Sequence, residues 1–221
     1  AGPPGLAAGE AHVWRARVSA IPPGFEELLD AREHARARTI LDRARAARYA
    51  RCRGLLRVLL AGYTASDAAQ LAFVGDAHGK PRLRGGRRPE FNVSHSGTTM
   101  LLAFSAAGAV GVDVEELRSV RDPLALARRM LGESAVRELR ALDPAARERA
   151  FLRSWVHHEA RVKCSGAGLA LHERGRAAAS TGRAGGPEPW CEELELGPRA
   201  LGAIALARAP RALALYDWRA P

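Results

Sequence analysis

The spacing of hydrophobic and polar positions along the chain predicts several short β-strands. Apolar and polar residues alternate over a few positions at a time, as they do in half-buried strands. The predicted strands cover residues 12–18, 71–74, 91–93, 99–105, 109–115, 190–196, 201–207 and 212–216. Two of these strands are separated only by the small residues 106–108, which predict a short hairpin between them.

Helical periodicity replaces this alternation in the first quarter of the chain. Leucines recur at helical spacing from residue 25 to residue 60, and we expect Gly62 to end this stretch. Nearly all of its arginines fall on the expected polar faces.

Two further helices are marked by aspartate–proline pairs. An N-cap aspartate followed by proline at the first helical position occurs at 122–123 and again at 143–144. We expect the second of these helices to run to about Cys164. Residues 173–189 are rich in Gly, Ala, Arg and Pro without periodicity, and they are predicted to form an exposed loop.

Each half of the chain therefore combines helix with antiparallel strands, which indicates the α+β class. The halves meet near residue 110, so we expect two similar lobes, residues 1–109 and residues 110–221. No clear sequence repeat accompanies this division.

Composition narrows the class of protein. The 221 residues are long enough to bury a core, and apolar runs are far shorter than the roughly 20 residues that cross a bilayer. No secretory signal pattern is present at the N-terminus. The three cysteines are scattered, which argues against a disulfide framework or zinc site and favours a reducing cytoplasm.

The chain is strongly basic, with 34 Lys and Arg against 24 Asp and Glu and a formal charge of +10. Such a surface attracts nucleic acid, a phosphorylated small molecule or an acidic protein. Alternatively, many arginines are solvated residues without a partner. Only two of the cations are lysines, Lys80 and Lys163.

Two acids on one predicted strand form the first chemical motif. In the sequence Val110-Gly-Val-Asp-Val-Glu115, alternation places Asp113 and Glu115 on the same face, roughly 7 Å apart. Paired carboxylates suit a hard cation such as Mg²⁺. The alternative is a half-exposed strand whose acids pair with arginines.

The predicted helix over residues 151–163 carries the second motif. Glu159 lies at the border of its apolar face, with Lys163 one turn later. The glutamate is placed to hold a metal or to act as a base. The alternative is an ordinary pair of charges, which contributes about 0.2–0.5 kcal/mol. A zinc HExxH site is excluded because position 162 is valine.

Polar turns supply the remaining candidates. The sequence Phe91-Asn-Val-Ser-His-Ser-Gly97 offers hydroxyls, an imidazole and turn amides to a phosphate, although it is equally typical of a polar turn. Lys80 lies in a Gly-Lys-Pro turn, where its ammonium is presented to a ligand or to solvent. No P-loop or Rossmann pattern accompanies these turns.

The order of the motifs is more specific than any one of them. G-K-P at 79–81, F-N-V-S-H-S at 91–96, G-V-D-V-E at 111–115 and F-x-R-x-W-x-x-x-E-A-x-x-K at 151–163 are followed by G-x-G-L. This arrangement resembles the Sfp-type 4′-phosphopantetheinyl transferases. Weaker resemblance extends from residue 52 to residue 190, so it covers most of the chain.

The resemblance implies a pseudo-dimer of two α+β lobes, with coenzyme A and Mg²⁺ in the cleft between them. It implies that Asp113, Glu115 and Glu159 hold the metal and that Lys163 contacts the diphosphate. The residues expected around the 3′-phosphate and adenosine of coenzyme A are Arg53, Lys80, Ser94 and His95, with Arg36 as a further candidate.

The implied reaction transfers 4′-phosphopantetheine from coenzyme A to a serine of an apo acyl or peptidyl carrier protein, releasing adenosine 3′,5′-bisphosphate. Such carriers serve fatty acid, polyketide or nonribosomal peptide assembly. We expect Glu159 to deprotonate the serine, directly or through water. His158 stands where the family usually has lysine; an imidazole can still bond a phosphate oxygen, but its charge would depend on pH.

Two alternatives remain open at this stage. Residues 32–57 form a basic segment of the kind that binds nucleic acid, although it has only one aromatic residue and no reading motif. A non-catalytic binder of coenzyme A or carrier protein is the other. The transferase interpretation predicts no nucleic acid or membrane partner, and a monomer.

Overall fold

The structure has a mixed α+β fold, as the sequence predicts. The computed structural model describes residues 2–75, 80–86, 89–166 and 187–220. Its helices are α1 (Ala31–Arg38), α2 (Arg43–Thr64), α3 (Pro123–Met130), α4 (Glu133–Arg140) and α5 (Pro144–Ser165). Its strands are β1 (Glu10–Arg17), β2 (Phe73–Gly75), β3 (Pro81–Leu83), β4 (Glu90–Ser96), β5 (Thr99–Ser105), β6 (Val110–Glu116), β7 (Trp190–Leu194), β8 (Ala200–Leu206) and β9 (Ala212–Asp217). None of the described helices is long and apolar enough to cross a lipid bilayer.

The first and last strands of the chain lie side by side in one sheet. This four-stranded sheet has the order β4-β5-β1-β9, with β9 parallel to β1 and the other neighbours antiparallel. A second, antiparallel sheet has the order β6-β8-β7, and β2 pairs with β3. The division into residues 1–109 and 110–221 stays a prediction, but β9 from the second part is hydrogen-bonded into the sheet of the first.

The hairpin predicted at residues 106–108 is wrong. β5 is flanked on both edges by β1 and β4, so it has no edge left for β6. β6 pairs instead with β8, where Val112 lies opposite Ile204. The short segment therefore carries the chain from one sheet to the other. Small turn residues alone do not distinguish such a crossing from a hairpin.

The helical stretch predicted over residues 25–60 is divided by two aspartate caps. Asp30 and Glu33 form a capping box at the start of α1. The side chain of Asp42 accepts a hydrogen bond from the Arg45 amide at the start of α2. Each aspartate satisfies amides at a helix start, and this favours two helices over one.

The expectation that Gly62 ends the second helix is also wrong. α2 continues to Thr64, and Ala65 ends it in a left-handed conformation with a φ of 49°. A Cβ at position 62 would overlap the ring of Pro3. The glycine therefore makes room for the N-terminal segment and does not stop the helix.

One arginine of α2, Arg57, is fully buried. Its guanidinium binds Glu33 at 2.7 Å and Asp30 at 3.0 Å. It also donates to the carbonyl oxygens of Ala68 and Leu71 at 2.8 and 3.0 Å. A charge is tolerated inside a protein only when it is paired and hydrogen-bonded in this way. The network joins α1, α2 and the segment that leads into β2.

The helix α5 packs directly on β6, and Gly111 permits this close approach. A Cβ at position 111 would overlap the carbonyl oxygen of Ala160 and the nitrogen of Cys164. It would also lie 2.9 Å from the carbonyl carbon of Lys163. Gly111 therefore sets the distance between α5 and the strand that carries Asp113.

Replacing Gly111 with alanine is expected to lower the free energy of unfolding by about 1–3 kcal/mol, because the added methyl group meets helix backbone. Gly5→Ala is the matched control, since a Cβ at position 5 meets nothing within 4 Å. Urea unfolding of both variants measures the difference. Equal midpoints for the two variants would contradict the packing argument.

Candidate active site

The edge of β6 that faces β4 is satisfied by side chains. β6 is an edge strand of its sheet, so its backbone groups on this side have no ladder partner among the described strands. The Asn92 side-chain oxygen accepts a hydrogen bond from the Val112 amide at 2.9 Å. The Ser96 hydroxyl accepts one from the Glu116 amide at 3.2 Å. Asn92, Ser94 and Ser96 alternate along β4, so one face of β4 meets β6.

Asp113 is the centre of a buried polar cluster beside this edge. Its carboxylate oxygen Oδ1 accepts from the Ser94 hydroxyl at 2.7 Å and from the Lys163 ammonium at 2.6 Å. Lys163 also donates to Ser94 Oγ at 3.1 Å and to the Val112 carbonyl at 3.3 Å. Only 5% of Asp113 is exposed, whereas 27% of the Lys163 side chain is exposed, so the carboxylate is buried and the ammonium stays partly accessible. Residues from β4, β6 and α5 thus meet at one carboxylate.

Glu115, the second acid of the motif, follows the same pattern. Its oxygen Oε2 accepts from the Ser96 hydroxyl at 2.8 Å and lies 3.7 Å from the guanidinium of Arg118. Asp113 and Glu115 therefore both reach hydroxyls on the same face of β4. They project to one side of β6, as their alternation in the sequence predicts.

Glu159 lies one turn before Lys163 on α5, and residues at this spacing share a helix face. Its side chain is half-buried. On the adjoining positions Val156 is fully buried, and the rings of Trp155 and His158 lie 6.1 Å apart. The helix therefore carries Lys163 to β6, with Glu159 on the same helix face.

The carboxylates offer the hard oxygen ligands that Mg²⁺ prefers. The Asp113 carboxylate already binds one cation, the ammonium of Lys163, so its negative charge is placed to bind a metal cation as well. Within the described part of the chain, no three His, Cys, Asp or Glu side chains are gathered as a metal site. The donor chemistry of Asp113, Glu115 and Glu159 fits the ion, but gathering the three requires side chains to move.

Lys80 reaches the same junction from the other side. Its ammonium donates to the carbonyl oxygens of Val110 and Lys163, both at 2.7 Å. Gly79, the first residue of the predicted Gly-Lys-Pro turn, lies outside the described residues. The structure therefore places Lys80 next to Lys163.

Arg53 belongs to the buried charge network of α2. It binds Glu33 at 2.6 Å, and its guanidinium lies 4.5 Å from the centre of the Phe73 ring. Because Arg53 and Arg57 share the same glutamate, two cations of the basic segment are already paired. This leaves less free charge on the segment than the sequence alone indicates.

Two arginines that the sequence does not distinguish act on His95. The imidazole projects from β4 on the side away from Ser94. Loss of hydration and then the charge of Arg48, with smaller effects of Lys163 and Arg45, lower the pKa of His95. The charges of these cations all disfavour the protonated ring of His95, and positive charge of this kind attracts an anionic ligand.

Comparison with known proteins identifies relatives of one kind. A model of the 4′-phosphopantetheinyl transferase superfamily matches residues 109–193. The 4′-phosphopantetheinyl transferase HetI of Nostoc is 33% identical over 76% of this chain and 73% of its own length. A putative 4′-phosphopantetheinyl transferase of Synechocystis is 34% identical over 66% of this chain and 61% of its own length. The Sfp enzyme of Bacillus subtilis is 27% identical over 53% of this chain and 51% of its own length.

Arg48→Gln is expected to raise the pKa of His95 towards its usual value of about 6.5, because it removes the strongest of the charges that repel the imidazolium. An NMR titration of the His95 ring measures the change. Arg51→Gln, on the same helix, is the matched control and is expected to leave the titration unchanged. An unchanged midpoint in Arg48→Gln, or equal shifts in both variants, would contradict this assignment.

Proposed function

Because the chain belongs to the 4′-phosphopantetheinyl transferase family and is a transferase of that type, we propose that it takes 4′-phosphopantetheine from coenzyme A and attaches it to a serine of an apo carrier protein. The observation that carries the proposal is the cluster in which Lys163 meets Asp113 and Ser94. It joins three separate motifs of the family at one carboxylate.

The proposed chemistry is displacement at the β-phosphorus of coenzyme A. The serine oxygen forms a new bond to this phosphorus, and the bond to the adenosine 3′,5′-bisphosphate oxygen breaks. The leaving group takes the electron pair, and Glu159 takes the serine proton, directly or through water. Such transfers depend mainly on positioning and on neutralising phosphate charge. Lys163 supplies a positive charge for the diphosphate.

We propose that Asp113, Glu115 and Glu159 hold Mg²⁺ during this reaction. The ion, when bound, neutralises charge on the diphosphate. Lys163 donates to Oδ1 of Asp113, so its ammonium would share this carboxylate with a bound cation while it supplies positive charge to the diphosphate.

The proposed contacts for the 3′-phosphate and adenosine are Arg53, Ser94 and His95, and His158 is proposed to bond a phosphate oxygen. The resemblance adds Lys80 to these contacts, but its ammonium is engaged by the carbonyls of Val110 and Lys163. The convergence of Arg45 and Arg48 on His95 supports an anion at this place. His158 replaces a lysine that is usual in the family. A neutral imidazole still donates one N–H to a phosphate oxygen, but only the protonated ring supplies the positive charge that a lysine would.

The carrier protein is the proposed macromolecular partner. The carrier proteins that this family modifies are typically acidic near the modified serine. A chain with a formal charge of +10 attracts such proteins. We also propose that the lobes 1–109 and 110–221 form a pseudo-dimer within a monomeric chain, with the active site between them. The contact of β4 with β6 at Asp113 supports this placement.

Glu159→Gln is expected to abolish transfer while leaving the fold intact, because the amide cannot accept the serine proton or bind a metal as a carboxylate does. Mass spectrometry of an apo carrier protein, incubated with coenzyme A and Mg²⁺, measures the rate. Glu148→Gln on the same helix is the control and is expected to retain full activity. Full activity of Glu159→Gln would remove this residue from the mechanism.

Removal of divalent metal with EDTA is expected to stop transfer, and added Mg²⁺ is expected to restore it. Asp113→Asn should raise the Mg²⁺ concentration needed for half-maximal rate, because it removes one carboxylate. The same carrier assay, with Mg²⁺ varied, measures both effects. An EDTA-treated enzyme that keeps its full rate would contradict the metal site.

A further inference from the structure

We propose that Lys80 is a positioning residue for Lys163: its ammonium ties the end of α5 to the start of β6 and so fixes where Lys163 meets Asp113. The consequence for catalysis rests on the proposed function. The structural part of the inference is independent of it. The resemblance alone implies a different role, a direct contact between Lys80 and coenzyme A.

The contacts of Lys80 join three distant parts of the chain. Its ammonium donates to the carbonyl of Val110, 30 residues away, and to the carbonyl of Lys163, 83 residues away. Both distances are 2.7 Å, as expected for charge-assisted hydrogen bonds. Two of the three ammonium N–H groups are therefore engaged by backbone.

The carbonyl of Lys163 is one that a helix cannot satisfy by itself. α5 ends at Ser165, so Lys163 lies among the last four residues, whose carbonyls have no partner within the helix. A cation at this end also complements the helix dipole. Lys80 supplies both the hydrogen bond and the positive charge, so it stabilises the last turn of α5.

The same residue, Lys163, uses its side chain in the candidate site. Its backbone carbonyl is held by Lys80, and its ammonium binds Asp113 at 2.6 Å. Gly111 lies on β6 between Val110, which Lys80 binds, and Asp113, which Lys163 binds. It packs directly on the backbone of α5. With Lys80 bound to the carbonyls of both Val110 and Lys163, the end of α5 has little freedom to shift relative to β6. A shift there would move the Lys163 ammonium relative to Asp113.

This role explains why the residue is a lysine. The chain has 32 arginines and only two lysines, Lys80 and Lys163. An ammonium is a compact point charge with tetrahedral donors, whereas a guanidinium is a larger planar fork. The carbonyls of Val110 and Lys163 lie where α5 and β6 pack closely at Gly111, and this space favours the compact ammonium. The side chain of Lys80 therefore holds the backbone of Lys163, the only other lysine.

The kinetic test compares four full-length variants in the carrier assay: Lys80→Met, Lys80→Arg, Lys80→Gln and the control Arg84→Met. Calorimetry measures the dissociation constant of coenzyme A for each variant and shows that each is folded. Arg84 is an exposed cation of the adjoining segment, so its replacement removes the same charge without touching the junction.

We expect Lys80→Met and Lys80→Arg to lower kcat by about tenfold or more, with the dissociation constant of coenzyme A changed by less than about threefold. Lys80→Gln should recover part of the rate, because its amide donates to a carbonyl. A direct contact with an anion gives the opposite pattern: binding weakens in Met and Gln, and Arg substitutes well. That pattern, or rates equal to those of Arg84→Met, would overturn the proposal.

A second measurement does not depend on activity. Because the chain has only two lysines, ¹⁵N-lysine labelling gives one backbone amide signal for Lys80 and one for Lys163. Lys80→Met should remove the first signal and shift the second, while Arg84→Met should leave both in place. An unmoved Lys163 signal overturns the positioning role even if the enzyme is active. If the wild type transfers nothing but the Lys163 signal moves, the proposed function fails and the positioning role stands.

Discussion

The open edge of β6 is the constraint on which the rest of the site depends. A buried backbone group without a partner costs about 1–3 kcal/mol, so an edge strand packed inside a protein must be satisfied by other means. Here the partners are side chains: Asn92 and Ser96 from β4, and the ammonium groups of Lys80 and Lys163. The groups that complete the edge are neighbours of Asp113. The side chains that satisfy the edge of β6 are therefore also the ones that surround Asp113.

Two packing features fix the elements around the site. Gly111 lets α5 approach β6 closely enough for Lys163 to reach Asp113. The buried pair of Arg57 and Glu33 anchors α2. Arg48 and Arg45, whose charges lower the pKa of His95, lie on the same helix. Some of the chain's positive charge, on Arg53 and Arg57, is therefore paired inside the fold. The charges of Arg48 and Lys163 act near the site, on His95.

Features set by neighbouring residues could be predicted from the sequence, and features set by distant contacts could not. The alternation that puts Asp113 and Glu115 on one side of β6, and the aspartate–proline helix starts at 122–123 and 143–144, are local and are confirmed. The crossing of the chain between sheets at 106–108 depends on which strands flank β5, so the local sequence could not predict it. The same holds for Lys80, whose partners lie 30 and 83 residues away.

The central claim is that this cluster serves the transfer of phosphopantetheine. The most direct measurement is the intact mass of an apo carrier protein after incubation with the wild-type chain, coenzyme A and Mg²⁺, with the released nucleotide quantified alongside. We predict a gain of one 4′-phosphopantetheine on a single serine and an equal amount of adenosine 3′,5′-bisphosphate. An unmodified carrier, with coenzyme A bound by the chain but not consumed, would contradict the account.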